Sequence, residues 1–375
     1  MVRLAVTRER HPGEARVALT PEAVKRLAAQ GLAIAIEAGA GLEAAASDSD
    51  YVAAGAEVAP DLAATLTGAD ILLKVRAPSA EELALLRPGA IVVGLLDPHR
   101  EAAALAALSE ARATAFAMEF VPRITRAQVM DALSSQANLA GYRAVIEAAS
   151  AYGRAMPMMM TAAGTVAPAK VFVIGAGVAG LQAIATARRL GAVVSATDVR
   201  PAAKEQVESL GAKFIAIEDE EFKSAETAAG YAKEMSAAYQ AKQATLVADH
   251  IRKQDIVITT ALIPGRQAPR LVTAEQVASM RQGSVIVDLA IEQGGNVEGS
   301  RPNETVVTGG ARILGVANLP GRIAADASAL YARNLSAFLA LLVDPEGRMT
   351  NAEDEILRAA LVTFGGTVVH PALKS

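Results

Sequence analysis

At 375 residues with 52% apolar side chains, the chain is longer than one ordinary domain and can bury two cores. Its net charge of −4 is dispersed, aromatics make up 3% and tryptophan is absent, which argues against a basic nucleic-acid face or a base-stacking platform. The absence of cysteine excludes disulfides, thiolate metal ligands and a cysteine nucleophile.

The opening run, residues 1–10, is strand-like and ends in charge, unlike the long apolar core of a signal peptide. Residues 4–6 read as a strand. Thr20-Pro21-Glu22 then opens a helix, with threonine as N-cap and proline in the first helical position. Apolar runs at 33–37, 71–75, 90–96 and 115–118 alternate with helical patterns, one from about Ser79. That alternation predicts a parallel sheet. A long helix is expected over 134–152, ended by Gly153. A second series of strands follows at 171–174, 192–197, 213–217, 255–260, 284–289 and 305–307, with 313–316 a further candidate, before a helix over 325–342. The longest apolar stretch, 156–180, is broken by Pro157, Pro168, Lys170 and glycines, so no membrane span is expected. The pattern implies an α/β protein: two Rossmann-like, doubly wound parallel-sheet domains joined by two long helices, with a cleft between. Residues 1–135 with 330–375 would form one domain and 140–325 the nucleotide-binding one. A soluble, intracellular protein is expected.

The cofactor signal is local. The run Lys170-Val171-Phe172-Val173-Ile174 leads directly into Gly175-Ala176-Gly177-Val178-Ala179-Gly180, a helical pattern follows, and the next strand ends in Asp198. In such a unit Gly175 allows a tight turn, Gly177 lets backbone approach a pyrophosphate, and Gly180 lets helix and strand pack closely. The helix N-terminus offers free N–H groups and a positive dipole end to the phosphates. Asp198 stands where an acid accepts from the adenosine ribose hydroxyls, which favours NAD(H) over NADP(H); Arg200 nearby weighs the other way.

Other strand ends carry polar groups. Asp288 and Asn318 stand where strand C-termini meet a cleft, Lys74 ends a strand, and Arg16 sits in a charged loop; each also reads as a surface charge or strand-end hydrogen bond. The segment 123–136 is denser in polar groups, with Arg123, Gln128 and Asp131 before Ser134 and Ser135. Either serine can cap the following helix, while amide, carboxylate and guanidinium groups together suit a nicotinamide carboxamide. His11, His99, His250 and His370 are far apart, forming no paired metal-ligand motif, and none falls on a strand tip of the expected cleft. A dehydrogenase acting on an alcohol or amine must move a proton as well as a hydride, whereas transfer between two nicotinamides needs only their juxtaposition. The segment 218–243 reads equally as a solvated acidic insertion or a mobile lid.

The run Arg123-Ile124-Thr125-Arg126-Ala127-Gln128-Val129-Met130-Asp131-Ala132-Leu133-Ser134, continuing to Gly141-Tyr142, closely resembles the NAD(H)-binding component, domain I, of proton-translocating NAD(P) transhydrogenase. So do Thr197-Asp198-Val199-Arg200-Pro201, Gly230-Tyr231-Ala232-Lys233-Glu234-Met235, Ala261-Leu262-Ile263-Pro264-Gly265-Arg266 and Ala324-Ala325-Asp326-Ala327-Ser328. The wider superfamily includes alanine dehydrogenase. The resemblance implies that Arg123, Asp131 and Ser134 hold the dihydronicotinamide, chiefly by its carboxamide, while Gln128 reaches towards NADP(H) bound by a partner. These four form the candidate catalytic set. Gly177, Val178, Asp198 and Arg200, with Val199 beside them, would hold pyrophosphate and adenosine. Gly230, Tyr231 and Met235 would belong to a mobile loop that closes on the nucleotide. Gly175, Gly180, Ala261, Leu262, Asp288 and Asn318 complete the cofactor-binding set.

The resemblance further implies a homodimer docked on a membrane-spanning proton-channel domain and an NADP(H)-binding domain, both on separate subunits. The chain would lie peripherally on the cytoplasmic face of the inner membrane, binding NAD(H) itself and meeting NADP(H) only through its partner. Two alternatives stand beside this. Lys74 and Arg16 match substrate-binding residues of alanine dehydrogenase, but Leu95-Leu96-Asp97-Pro98 stands where that enzyme's catalytic histidine is expected. The third reading is a redox-inactive NAD-binding regulatory subunit.

Overall fold

The computed structural model describes residues 2–223, 236–263, 265–344 and 353–374. They fall into two compact units, Met1–Gln136 with Pro320–Ser375, and Ala137–Leu319. Gly230, Tyr231 and Met235 lie outside the described residues.

The first unit opens with strands β1 (Arg3–Val6), β2 (Ala33–Glu37), β3 (Glu57–Ala59), β4 (Ile71–Leu73), β5 (Ile91–Gly94) and β6 (Thr114–Ala117). They run parallel in the order β3-β2-β1-β4-β5-β6, the doubly wound arrangement whose order reverses beside β1. Their sequences are near-continuous apolar runs because helices cover both faces. Leu4 and Val6 enter one buried cluster and Ala5 the other, the period-two alternation of a strand between two cores. Pro21 starts the helix Pro21–Ala29 as the sequence implies, but the Thr20 hydroxyl makes no capping bond. Ser79 and Glu82 do form a reciprocal capping box on the helix Ala80–Leu85.

The chain crosses into the second unit within the helix Ala132–Ala151. There β7 (Met159–Thr161) and β8 (Gly164–Val166) form a separate antiparallel hairpin. Next come β9 (Lys170–Ile174), β10 (Val193–Thr197), β11 (Lys213–Phe214), β12 (Ile256–Thr259), β13 (Val285–Asp288), β14 (Thr305–Thr308) and β15 (Ala311–Leu314). Their order is β11-β10-β9-β12-β13-β15-β14, again reversing beside the first long strand, and only β14 pairs antiparallel. Val171 and Val173 face one core, and Phe172 and Ile174 the other. Burying each such side chain contributes about 1.5–3 kcal/mol.

The chain returns to the first unit at Pro320. After the helix Ala324–Leu342, β16 (Leu361–Phe364) pairs antiparallel with β6, and β17 (Thr367–Val368) closes the edge. No described helix is long and apolar enough to cross a membrane.

Candidate functional site

The glycine turn sits at the end of β9, where the strand order of the second unit reverses. Each glycine has a distinct physical reason. Gly175 has φ +101°, and a Cβ there would lie 2.6 Å from Thr260 Oγ1, which donates a 2.9 Å hydrogen bond to the Gly175 carbonyl. A Cβ on Gly180 would fall 1.8 Å from that same carbonyl oxygen, so helix and strand touch through this position. At Gly177 a Cβ would meet nothing within 4 Å. Packing within the fold does not require glycine there. The helix Val178–Arg189 begins at this point with no side-chain cap, and Gly177 and Val178 are exposed. These features fit a pyrophosphate on the helix N-terminus. Gly141 fixes the approach of the helix Ala132–Ala151, since a Cβ there would lie 2.0 Å from the Ala179 carbonyl oxygen.

Asp198 follows β10 and is tied to the turn. Its Oδ2 accepts the Ala176 N–H at 2.7 Å, and its Oδ1 accepts from the Arg200 backbone N–H at 2.9 Å and from Nε at 3.0 Å. Arg200 Nη2 also donates to the Ala176 carbonyl. Val199 between them is exposed. The sequence leaves Arg200 as a candidate for a 2′-phosphate, but here its guanidinium is engaged by Asp198. On the expectation that Asp198 accepts from a ribose hydroxyl, Asp198→Ser should weaken NADH about tenfold and weaken NADPH less, because it also removes a negative charge near a 2′-phosphate. Fluorescence titration with both nucleotides checks this, and equal losses for the two would contradict the assignment.

Asp288 is surrounded by donors of the protein itself. It is wholly buried, with its carboxylate accepting N–H groups from Ala290, Asn296 and Val297, each at 3.1 Å, and the Thr259 hydroxyl at 3.3 Å. Asn296, held by Asp288, accepts from the Ala261 N–H at 3.1 Å and donates to the Ala261 and Pro269 carbonyls, each at 2.9 Å. Ala261 is thereby fixed, and Leu262 and Ile263 after it are exposed. Asn318 adopts φ +50° and donates its backbone N–H to Glu292 Oε2 at 3.1 Å. Thr260 and Asn296 are structural partners of the site that the sequence reading does not single out.

The polar segment of the first unit is the 3-10 helix Thr125–Met130. Ala127 and Met130 are its buried feet, while Arg123 and Gln128 are exposed, as is Val129 at 63%. Arg126 pairs with Asp354 at 2.8 Å and Glu355 at 3.0 Å. The cap of the next helix is Asp131 rather than either serine. Its Oδ1 accepts the Ser134 N–H at 2.8 Å and its Oδ2 the Ser134 hydroxyl at 2.6 Å, because a carboxylate satisfies an orphan helix N–H and its dipole together.

Where the strand order of the first unit reverses, a buried charge cluster fills the ends of β1 and β4. Lys74, 1% exposed, donates to Glu82 at 2.9 Å and pairs with Glu9 at 3.3 Å, while the Thr7 hydroxyl donates to Glu82. Arg16 is held by both oxygens of Glu14, at 2.7 Å each, and donates to Gln136 at 2.8 Å. Arg76 joins Glu14 at 2.9 Å. Burial pushes Glu9 above the usual carboxylate range despite Lys74 beside it. Burial would also raise Glu14, but hydrogen bonds and charges from Arg16 and Arg76 outweigh it and hold the group at about 2. Leu96, just beyond β5, is buried, and His99 packs its ring edge-on against Phe120 at 5.3 Å.

Strand, glycine turn, helix, strand and acid in this geometry define a dinucleotide-binding protein of Rossmann type. Residues 5–140 match the N-terminal domain model described as alanine dehydrogenase/PNT, and residues 144–371 match its C-terminal domain. The chain belongs to the alanine dehydrogenase/PNT family, and it binds a nicotinamide nucleotide. It is 52% identical to a Rhodospirillum rubrum protein named as the first portion of NAD(P) transhydrogenase subunit alpha, over 99% of each chain. The crystal structure of transhydrogenase from Sinorhizobium meliloti superposes with a TM-score of 0.90 at 57% identity, covering 98% of this chain and 100% of that one. An L-alanine dehydrogenase structure superposes at 0.82 with 28% identity, over 99% and 98% of the chains.

Proposed function

We propose that this chain is the NAD(H)-binding catalytic subunit of a proton-translocating transhydrogenase, presenting NADH for direct hydride transfer to NADP+ held by a partner domain. The end of β5 carries this reading: Leu95 and Leu96 stand where amino-acid oxidation requires a proton carrier. Hydride transfer between nicotinamides requires none. The bound dinucleotide supplies the hydride, and the residues of this chain bind and orient it. Gly177 and the N-terminus of the helix Val178–Arg189 take the pyrophosphate, and Asp198 takes the ribose. Arg123, Asp131 and Ser134 take the carboxamide, a group that needs both donors and acceptors. Gln128 and its exposed neighbour Val129 face the partner. The similarity to a protein named as one portion of an alpha subunit supports partner subunits on separate chains. In this reading those partners are a membrane-spanning proton-channel domain and an NADP(H)-binding domain. The chain then sits peripherally on the cytoplasmic face of the inner membrane.

A homodimer belongs to the same proposal. The β7–β8 hairpin projects Met158, Met159, Met160 and Val166 into solvent, an apolar surface that a second copy would cover. The alanine dehydrogenase reading rests on Lys74 and Arg16, and both are already engaged by Glu82, Glu9 and Glu14. The purified chain should bind NADH and turn over neither alanine nor pyruvate. With an NADP(H)-binding transhydrogenase domain it should exchange hydride directly, with no solvent deuterium entering the product. Alanine-dependent NADH formation at enzyme-like rates would overturn the reading. Tight NADH binding without exchange would favour a regulatory subunit instead.

A further inference from the structure

We infer that Asn334 is a positioning residue for hydride transfer, pinning the Thr125–Met130 loop from beneath; this rests on the function proposed above. Asn334 lies in the helix Ala324–Leu342, on a face otherwise made of Ala327, Tyr331, Leu335 and Phe338, and is 8% exposed. A buried amide on an apolar stripe costs free energy unless its hydrogen bonds are made. Here they are. Nδ2 donates to the Val129 carbonyl at 2.9 Å, and Oδ1 accepts the Ser135 hydroxyl at 2.8 Å. The Val129 carbonyl, which can only accept, fixes which end of the amide is which; the Ser135 hydroxyl also lies 3.1 Å from the Ala132 carbonyl.

The two contacts bracket the candidate groups. Val129 directly follows Gln128, and Ser135 directly follows Ser134. One side chain thereby sets the spacing between the residue assigned to the partner's nucleotide and the Asp131–Ser134 pair assigned to the carboxamide. The loop needs such a tie because short 3-10 segments have poor internal hydrogen-bond geometry. The chain of contacts continues away from the loop. Gln136 Nε2 donates to Ser135 Oγ at 3.3 Å and to the Ala327 carbonyl at 3.1 Å, and its Oε1 accepts from Arg16. The loop is therefore connected to the buried charge cluster at the ends of β1 and β4, and Arg16 has a role in this chain that requires no substrate.

Asn334→Asp tests this: it keeps the shape and the acceptor but sets a carboxylate oxygen against the Val129 carbonyl. Mixed with an NADP(H)-binding transhydrogenase domain, the variant should transfer hydride about tenfold to a hundredfold more slowly, the range expected when reacting groups are misplaced by about 1 Å. Its Kd for NADH should stay within about twofold, and amide hydrogen exchange in peptides covering 125–135 should quicken. Ser135→Ala approaches from the other contact and should slow transfer less. The double variant should fall short of the product of the two effects, as coupled residues do. Wild-type transfer by Asn334→Asp, or equal losses in rate and affinity, would overturn the assignment. If the wild-type chain transfers no hydride, the transhydrogenase reading fails on its own. Exchange then decides the anchoring alone, and unchanged exchange in Asn334→Asp would overturn it.

Discussion

Gly177→Ala should fold as the wild type does and lose NADH, whereas Gly180→Ala should be destabilised. The two glycines stand three positions apart in one turn, and local conformation does not separate them: neither has a positive φ. What separates them is what a methyl group would meet. At Gly180 it would be driven to 1.8 Å from the Gly175 carbonyl oxygen, a backbone atom that cannot swing aside as a flexible side chain would. Overpacking of this kind costs about 1–3 kcal/mol or more. The helix propensity gained on replacing glycine, about 1 kcal/mol, is too small to offset the upper end of that range. At Gly177 the methyl would enter open space, so thermal unfolding should barely move. That space is the one assigned to pyrophosphate. A methyl there keeps the phosphates from the N–H groups of the helix Val178–Arg189, and a loss of about a hundredfold in affinity, roughly 2.7 kcal/mol, is expected. Thermal melts and NADH titrations on both variants separate the outcomes. Wild-type affinity in Gly177→Ala would mean that the nucleotide does not cross the turn.

The features of this molecule legible in its sequence are those that depend on neighbours along the chain. The glycine turn, the acid at the end of β10 and most parallel strands are local patterns, and they lie within a residue or two of where spacing puts them. The short strands β3 and β17, three and two residues long, offer too little pattern to show themselves, and β16, though apolar, lies far along the chain from the strand it pairs with. Side-chain partners are harder still. Asn334 and Val129 are 205 residues apart, and nothing local announces the pair beyond one amide on an apolar helix face. Asp288 shows the converse. An acid at a strand end reads the same whether it faces a ligand or turns inward. What turns it inward is a later loop: Gly295, at φ +77°, brings the N–H groups of Asn296 and Val297 onto the carboxylate, where a Cβ would lie 2.6 Å from Oδ2. Asp131 is legible as polar and not as a cap, because the serines after it offer the same chemistry one turn later.

Glu14→Gln should be among the most destabilising single changes in the first unit at neutral pH, and its effect should fade in acid. Glu14 is the shared anion of two guanidinium groups, taking Arg16 through both oxygens and Arg76 through Oε2, and its side chain is fully shielded. Removing one partner of a buried ion pair while leaving the other charged costs about 3–5 kcal/mol. The pH dependence follows from the depressed folded-state value. With the carboxyl held at about 2 against 4.5 when unperturbed, its stabilisation is fully present above about pH 4.5. It is lost as pH falls towards 2, by about 3 kcal/mol in all. Glu9 works in the opposite sense, since its raised value favours the protonated form in the folded state and stabilises at low pH, so the wild-type profile alone is ambiguous. The difference between wild type and Glu14→Gln isolates the term. Urea unfolding at pH 7 should show the full gap, and the same measurement near pH 3 a much smaller one. A gap that stays constant across that range would mean that Glu14 packs without its charge mattering. The same variant bears on function. Arg16 connects Glu14 to Gln136 and so to Ser135 and Asn334, so under the proposed function loosening the charge cluster should also slow hydride transfer while leaving NADH binding at the glycine turn intact.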